Sequence, residues 1–154
     1  MTLAALLAVR GQRVIAIAPD ARVEEAAALL AGRRIGTLAV QEGTGPLLGL
    51  IGEEEITRGL ARQGAAVLSL PVRALMCEAP RTATPHTALP AALEMMGNGH
   101  LRHLPVLDEG GRALAILSLG ELLRHVIRLG QGEASALVSF IAGQGYAVTK
   151  LPGS

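Results

Sequence analysis

Aromatic side chains are nearly absent from this chain of 154 residues, which contains one Phe, one Tyr and no Trp. Single-stranded nucleic acid is usually held on rows of stacked aromatic rings, and this composition cannot supply such a row. Lysine and arginine together number 14, against 13 aspartate and glutamate residues, so there is no general positive field for a phosphate backbone either. We therefore expect no binding to DNA or RNA.

Cysteine and long apolar runs are also scarce. The single Cys77 excludes an internal disulfide framework and a multi-cysteine zinc site within one chain, which is typical of a reducing compartment. The longest stretch without an acidic or basic residue spans 16 positions, 134–149, whereas a bilayer span needs about 20 mostly apolar residues. The first arginines follow the apolar run at 3–9 instead of preceding it, which argues against a signal peptide. We expect a cytoplasmic protein that does not enter a membrane.

What the sequence does contain is an internal repeat. One shift of 66 residues, with no gap, aligns the following pairs: Pro19 with Pro85, Leu38 with Leu104, Val40 with Val106, Leu48 with Leu114, Glu55 with Glu121 and Arg58 with Arg124. Chance rarely keeps one register over apolar, turn and charged positions, even in a chain rich in alanine and leucine. The two copies are therefore interpreted as two related modules.

Each copy predicts the same order of elements. The order is an extended run with a proline (14–19 and 81–85), a helix (22–31 and 88–97), a strand (37–41 and 103–107), a glycine turn, a second strand (47–51 and 113–117) and a further helix. Copies of about 60 residues are too small to bury a good core alone, so we expect them to pack about a pseudo-two-fold axis. The predicted modules span residues 6–63 and 72–130. Residues 1–9 and 132–146 are predicted as terminal helical pieces, and 64–72 as the connector.

Two segments of the second copy carry a family resemblance. Residues 100–106 (HLRHLPV) and 116–122 (ILSLGEL) resemble the second half of a tandem cystathionine β-synthase (CBS) domain pair. Residues 34–40 (RIGTLAV) and 49–56 (GLIGEEEI) resemble the first half more loosely. The resemblance implies an α/β fold of two β-α-β-β-α modules and a homodimer of two such pairs. It also implies a regulatory, signal-transducing role through an adenosine-containing ligand such as AMP, ATP or NAD, with no catalysis, no required cofactor and a regulated partner protein that the sequence does not identify.

The resemblance assigns ligand-binding roles in the second copy. Ser118 matches a hydroxyl position at the end of the third strand, and Glu121 matches an acid that holds both ribose hydroxyls. A carboxylate suits this role because it can accept two hydrogen bonds from a vicinal diol. Arg102 and His103 match positions that reach phosphate, for which a planar guanidinium is well shaped. Thr82 lies in the edge strand whose backbone reads adenine in the family.

The first copy departs further from the family pattern. Glu55 matches the acid and Ala16 the adenine-reading strand, but Gly52 replaces the hydroxyl, and Gly36 and Thr37 replace the basic pair. Both copies also have Glu where the family has Asp. These departures keep an alternative open, in which the chain is a ligand-free dimeric adaptor with degenerate nucleotide sites.

Some of these residues also have ordinary structural explanations. Glu121 near a helix N-terminus is favourable against the helix dipole, and Ser118 is a preferred N-cap residue. Arg33 and Arg34 offset the dipole at the end of the first predicted helix, and they could also lie near the phosphate end of a cleft. The four histidines lack the convergent spacing of a zinc site, so no metal is expected.

Overall fold

The computed structural model describes residues 1–130, which contain five α-helices and five strands. The elements of the first half are α1 (Leu3–Arg10), β1 (Ala16–Ile17), α2 (Val23–Arg33), β2 (Thr37–Val40), β3 (Gly49–Gly52) and α3 (Glu53–Gln63). Two 3₁₀ helices (Gly64–Ser69 and Val72–Ala74) then lead to α4 (Leu89–Asn98), β4 (His103–Leu107), β5 (Ala113–Ser118) and α5 (Leu119–Leu129). The predicted extension at 132–146 lies outside the described residues.

The strands pair in the same way in both modules, at the same 66-residue shift that relates the two copies of the sequence. β1 runs parallel to β2, and β2 runs antiparallel to β3 with Thr37 opposite Gly52. In the second sheet β4 runs antiparallel to β5 with His103 opposite Ser118, which is the same pairing 66 residues later. All four residue pairs between β2 and β3 recur between β4 and β5 at this shift. The predicted pair of α/β modules is confirmed.

The first strand of the second module is shorter than predicted. The extended run expected at 81–85 makes one parallel bridge, Ala83 with Val106, which is equivalent to the pair Ile17 with Val40 in the first module. The Ala83 N–H donates to the Pro105 carbonyl at 2.9 Å. Pro85 has no N–H to donate, and its ring limits the backbone, so the strand cannot extend through it.

Two separate apolar clusters form the interior, and each draws on chain from outside its own repeat. Helix α1 packs on the second module through Leu3, Leu6 and Leu7, and the Leu3 N–H donates to the Thr87 carbonyl at 2.9 Å. The connector after α3 contributes the fully buried Val72 to the first cluster. The predicted connector at 64–72 therefore also contributes to the core of the first module.

The chain crosses between the modules directly after α1. This helix lies on the second module, whereas β1, which begins six residues after α1 ends, belongs to the first. The longest helices between residues 1 and 130 have 11 residues, and none is long and apolar enough to cross a bilayer.

Candidate functional site

Two clefts open where the modules meet, with volumes of about 870 Å³ and about 380 Å³. Thr37 and His103, which are equivalent in the two repeats, line both clefts. The His103 ring lies against Gly36: a Cβ at Gly36 would come within 3.1 Å of its Cε1 atom and 3.2 Å of its Nε2 atom. The missing side chain at Gly36 thus lets the modules approach closely. The volume of the larger cleft lies within the range typical of small-molecule sites.

The larger cleft is composite, because its walls come from both modules. The first module contributes Ala16 on β1 and Thr37 on β2, whereas the second contributes His103, Ser118 and Glu121. Five residues singled out in the sequence are therefore brought together here. The motif of the second repeat faces the edge strand of the first repeat and not its own.

Ser118 and Glu121 form a reciprocal cap at the start of α5. The Glu121 N–H donates to Ser118 Oγ at 3.1 Å, and the Ser118 N–H donates to Glu121 Oε2 at 2.9 Å. This capping box explains why Ser followed three residues later by Glu begins a helix at this point. The second carboxylate oxygen, Oε1, accepts a hydrogen bond from Arg10 Nε at 2.8 Å. Both oxygens of Glu121 are therefore engaged within the chain.

These contacts determine the charge state of the site. Burial acts to raise the pKa of Glu121, but the hydrogen bonds from Ser118 and Arg10 and the charge of Arg10 outweigh it, so the pKa lies below its ordinary value. Burial lowers the pKa of His103 and outweighs the opposing effect of the Glu121 and Glu53 carboxylates. At neutral pH the cleft therefore contains a carboxylate and a neutral imidazole.

Three predicted site residues do not line the larger cleft, and two of them line the smaller one. Glu55 and Arg102 line it, and the Gly52 N–H donates to Glu55 Oε2 at 2.9 Å, as in the other module. Arg102 is thus separated from Ser118 and Glu121, with which the sequence had grouped it. Thr82 is exposed and lines neither cleft. The two residues before it, Pro80 and Arg81, line the smaller cleft.

Gly52 has a steric reason to be glycine. A Cβ at this position would overlap the Gly36 carbonyl oxygen and would lie 3.1 Å from Thr37 Oγ1. The nearby backbone of Gly36 therefore leaves no room at position 52 for a side chain that would carry the hydroxyl of the family motif.

Arginines are the functional candidates that motif matching missed. Arg10, Arg13 and Arg124 line the larger cleft together with Arg33 and Arg34, which the sequence had suggested. The spacing of Arg124, three residues after Glu121 on α5, could have indicated that it shares the same face. Arg10 gives no such local pattern, since α1 reaches the cleft from another part of the chain. Within residues 1–130, no group of three or more His, Cys, Asp or Glu side chains could hold a metal ion.

Comparison with known proteins identifies the family. The model of the CBS domain matches the chain twice, at residues 9–62 and 72–128. The chain belongs to the CBS-domain family. A crystal structure of the CBS-domain protein ATU1752 from Agrobacterium tumefaciens is 31% identical, with a TM-score of 0.74 over 81% of this chain and 98% of that one. The mitochondrial CBS-domain protein CBSX3 from Arabidopsis thaliana is 30% identical over 63% of this chain, and the match spans only 48% of CBSX3.

Some more distant CBS pairs have been solved with adenosine compounds. The protein PAE2072 from Pyrobaculum aerophilum, crystallised with AMP, is 20% identical, with a TM-score of 0.71 over 90% of this chain and 99% of its own. The CBS pair of the protein MJ0100, solved with 5′-methylthioadenosine and S-adenosyl-L-methionine, is 19% identical, with a TM-score of 0.73 over 84% of this chain and 98% of its own. These likenesses establish a shared fold.

Proposed function

We propose that this CBS pair is a regulatory module, not an enzyme, and that it binds an adenosine-containing ligand in its larger cleft. The observation that carries the proposal is the placement of the Ser118–Glu121 cap opposite β1 of the other module, at Ala16. The carboxylate can accept hydrogen bonds from a ribose diol, and an edge strand offers backbone groups to a base. The adenosine compounds bound to PAE2072 and MJ0100 support the same class of ligand.

The adenine end of this site needs no aromatic ring. β1 is the edge strand of its sheet, and its carbonyls at Ile15 and Ile17 accept hydrogen bonds from the neighbouring strand at 3.1 Å. Peptide groups of alternate residues point to opposite edges, so those of Ala16 are directed to the open edge of the sheet. Adenine read by this backbone would lie in an aliphatic slot lined by Val14, Ile15 and Ile116.

Regulation follows from the composite walls of the cleft. A ligand that contacts Ala16 in one module and Glu121 in the other favours one relative arrangement of the two modules. Such differential affinity is what a ligand-operated switch requires. The proposed output is a change in contact with a regulated protein.

We also propose that the chain forms a homodimer. Helices α3 and α5, which are equivalent in the two modules, leave Leu60 and Leu129 exposed.

A second candidate function is a ligand-free adaptor. The contact between Arg10 and Glu121 favours it, because a ribose diol would have to displace a 2.8 Å hydrogen bond that already occupies Oε1. The steric exclusion of a hydroxyl at Gly52 points the same way for the first module.

Calorimetric titration separates the two candidates. Adenosine, AMP, ATP, NAD and S-adenosylmethionine are titrated into the full chain, into Glu121→Gln, and into a control, Glu109→Gln, whose carboxylate is on an exposed turn. We expect Glu121→Gln to weaken binding at least tenfold, since hydrogen bonds to a charged group contribute about 1.5–3 kcal/mol each. Glu109→Gln should bind as the unchanged protein does.

Three outcomes would contradict the proposal. Tight binding that is indifferent to Glu121→Gln would exclude the assigned site. Absence of binding by all five compounds, together with a stable dimer by light scattering, would favour the adaptor. Turnover of ATP during the titration would contradict the non-catalytic role.

A further inference from the structure

The two clefts differ in charge although they are related by the repeat. Side chains of opposite charge line them in different proportions: the larger has Arg10, Arg13, Arg33, Arg34 and Arg124 against Glu121, whereas the smaller has Arg81 and Arg102 against Glu53, Glu54 and Glu55. Counted over these arginine and glutamate side chains alone, five against one give the larger cleft a clear positive excess, whereas two against three leave the smaller cleft slightly negative. The difference arises mainly from positions where the repeat is not conserved between the two modules.

Most of this positive charge is not compensated within the described residues. The ion pairs among residues 1–130 include Arg10 with Glu121, but none of them involves Arg13, Arg33, Arg34 or Arg124. Residues 131–154 contain a single acidic side chain, Glu133, so they could neutralise at most a small part of it. Several like charges around one cleft raise its potential and favour an anionic occupant.

Arg34 occupies a backbone conformation that favours glycine. It follows α2 with φ 52° and ψ 47°, in the left-handed region, and its N–H donates to the Ala31 carbonyl at 3.3 Å. Helices commonly end in this conformation, and glycine is then preferred because a Cβ is strained. His100, the equivalent residue of the second module, has a similar φ of 50°, so the conformation belongs to the fold of both modules, and at Arg34 it places an arginine on the wall of the larger cleft.

We propose that the larger cleft selects adenosine ligands that carry a polyphosphate chain, with Arg33 and Arg34 as specificity-determining residues. The inference rests on the adenosine site proposed above and names the chemical class of its ligand. Arg10 partly neutralises Glu121 at the ribose end, whereas the other arginines remain available to phosphate oxygens, which a guanidinium can pair with two at a time. AMP presents one phosphate to this surface and ATP presents three. A cationic sulfonium compound such as S-adenosylmethionine is disfavoured.

The test compares adenosine ligands that differ in the number of phosphates, together with a polyphosphate that lacks the nucleoside. Adenosine, AMP, ATP and inorganic tripolyphosphate are titrated calorimetrically into the full chain at about 50 and about 200 mM salt. We expect ATP to bind at least tenfold more tightly than AMP, roughly 1.4 kcal/mol, and AMP more tightly than adenosine. The preference should shrink at the higher salt, because exposed charges are then screened.

Substitutions of single arginines test which residues give the larger cleft its preference for polyphosphates. Arg33→Gln and Arg34→Gly should each reduce ATP affinity about tenfold, roughly 1.4 kcal/mol, and leave adenosine affinity unchanged. Arg62→Gln is the matched control, since Arg62 also lies in the last turn of a helix and is exposed, but lines neither cleft. This control should bind all four compounds as the unchanged protein does.

The outcomes distinguish this inference from the proposed function. Equal affinities for AMP and ATP that neither arginine variant changes would overturn the inference and leave adenosine binding intact. Tripolyphosphate that binds as tightly as ATP, with no effect of Glu121→Gln, would support selection of polyanions and overturn the adenosine site. Failure of all four compounds to bind would overturn both.

Discussion

Gly52→Ser tests whether the difference between the two modules is steric. Judged from the motif alone, this substitution restores the hydroxyl that Ser118 supplies in the second module, and a second nucleotide site would be expected. The structure predicts the opposite. A Cβ at Gly52 overlaps the carbonyl oxygen of Gly36 and approaches Thr37 Oγ1 to 3.1 Å. We therefore expect a destabilised protein with no additional ligand site.

The expected loss of stability in Gly52→Ser follows from the atoms that the new side chain would contact. The obstacle is backbone, and it is held in place because the Glu53 N–H donates to the same Gly36 carbonyl at 3.1 Å. Overpacking of this kind costs about 1–3 kcal/mol, and weakening that hydrogen bond adds about 1 kcal/mol. The backbone of Gly52 is extended, with φ −149°, so the cost is steric and not conformational. The midpoint of thermal unfolding should fall by on the order of 10 °C.

Urea and thermal unfolding followed by far-ultraviolet circular dichroism measure the effect. Gly52→Ala should lose nearly as much stability as Gly52→Ser, because the Cβ alone makes the overlap. Ser118→Gly is the reciprocal control and should cost only a few tenths of a kcal/mol, as glycine is a tolerated N-cap. If Gly52→Ser unfolded at the same urea concentration as the unchanged protein, or gained a second equivalent of bound ligand in calorimetry, the steric argument would be refuted.

Three further substitutions test local features of the larger cleft. Arg34→Gly should raise the free energy of unfolding measured in urea by about 0.5–1 kcal/mol, since it relieves left-handed strain, although we expect the same substitution to weaken ATP binding. Ser118→Ala should lower the free energy of unfolding by about 1 kcal/mol in the same assay, because the Glu121 N–H loses its acceptor. The lowered pKa of Glu121 means that its carboxylate stabilises the fold above about pH 4.5, and this contribution is lost as pH falls through the folded-state pKa. Urea unfolding at a series of pH values should therefore show a smaller acid-induced loss in Glu121→Gln, and an unchanged loss would contradict the assignment.

The fold could largely be predicted because its information is local. Apolar runs and glycine turns mark the strands in both copies, and one shift of 66 residues reproduces their pairing. The sequence predicted the connector at 64–72 but not that Val67 and Val72 within it are fully buried. A module of this size needs apolar cover from outside its own repeat, and a short segment with no clear periodicity gives no sign that it supplies such cover.

The site could be predicted only in part, for a related reason. Serine followed three residues later by glutamate predicts a capped helix start, and the Ser118–Glu121 cap is present. The sequence grouped Arg102 and Thr82 with this pair because all four belong to one repeat. The clefts form between the repeats, so the pair faces Ala16 of the other module and Arg102 lines the smaller cleft. Which residues face each other across the axis cannot be read from either repeat alone.

The ion pair between Arg10 and Glu121 need not prevent ligand binding. The two side chains are 26% and 29% exposed, and partly exposed ion pairs contribute only about 0.2–1 kcal/mol. A ribose diol that takes over Oε1 replaces one hydrogen bond to the carboxylate by another, so the loss of the Arg10 hydrogen bond does not by itself oppose binding. A ligand with phosphates also gives the released Arg10 a new anionic partner, which makes the exchange favourable. Under the proposed function, the contact that favours an adaptor at first sight is compatible with ligand binding. We expect it to favour phosphate-bearing ligands over adenosine and to couple occupancy of the cleft to the end of α1.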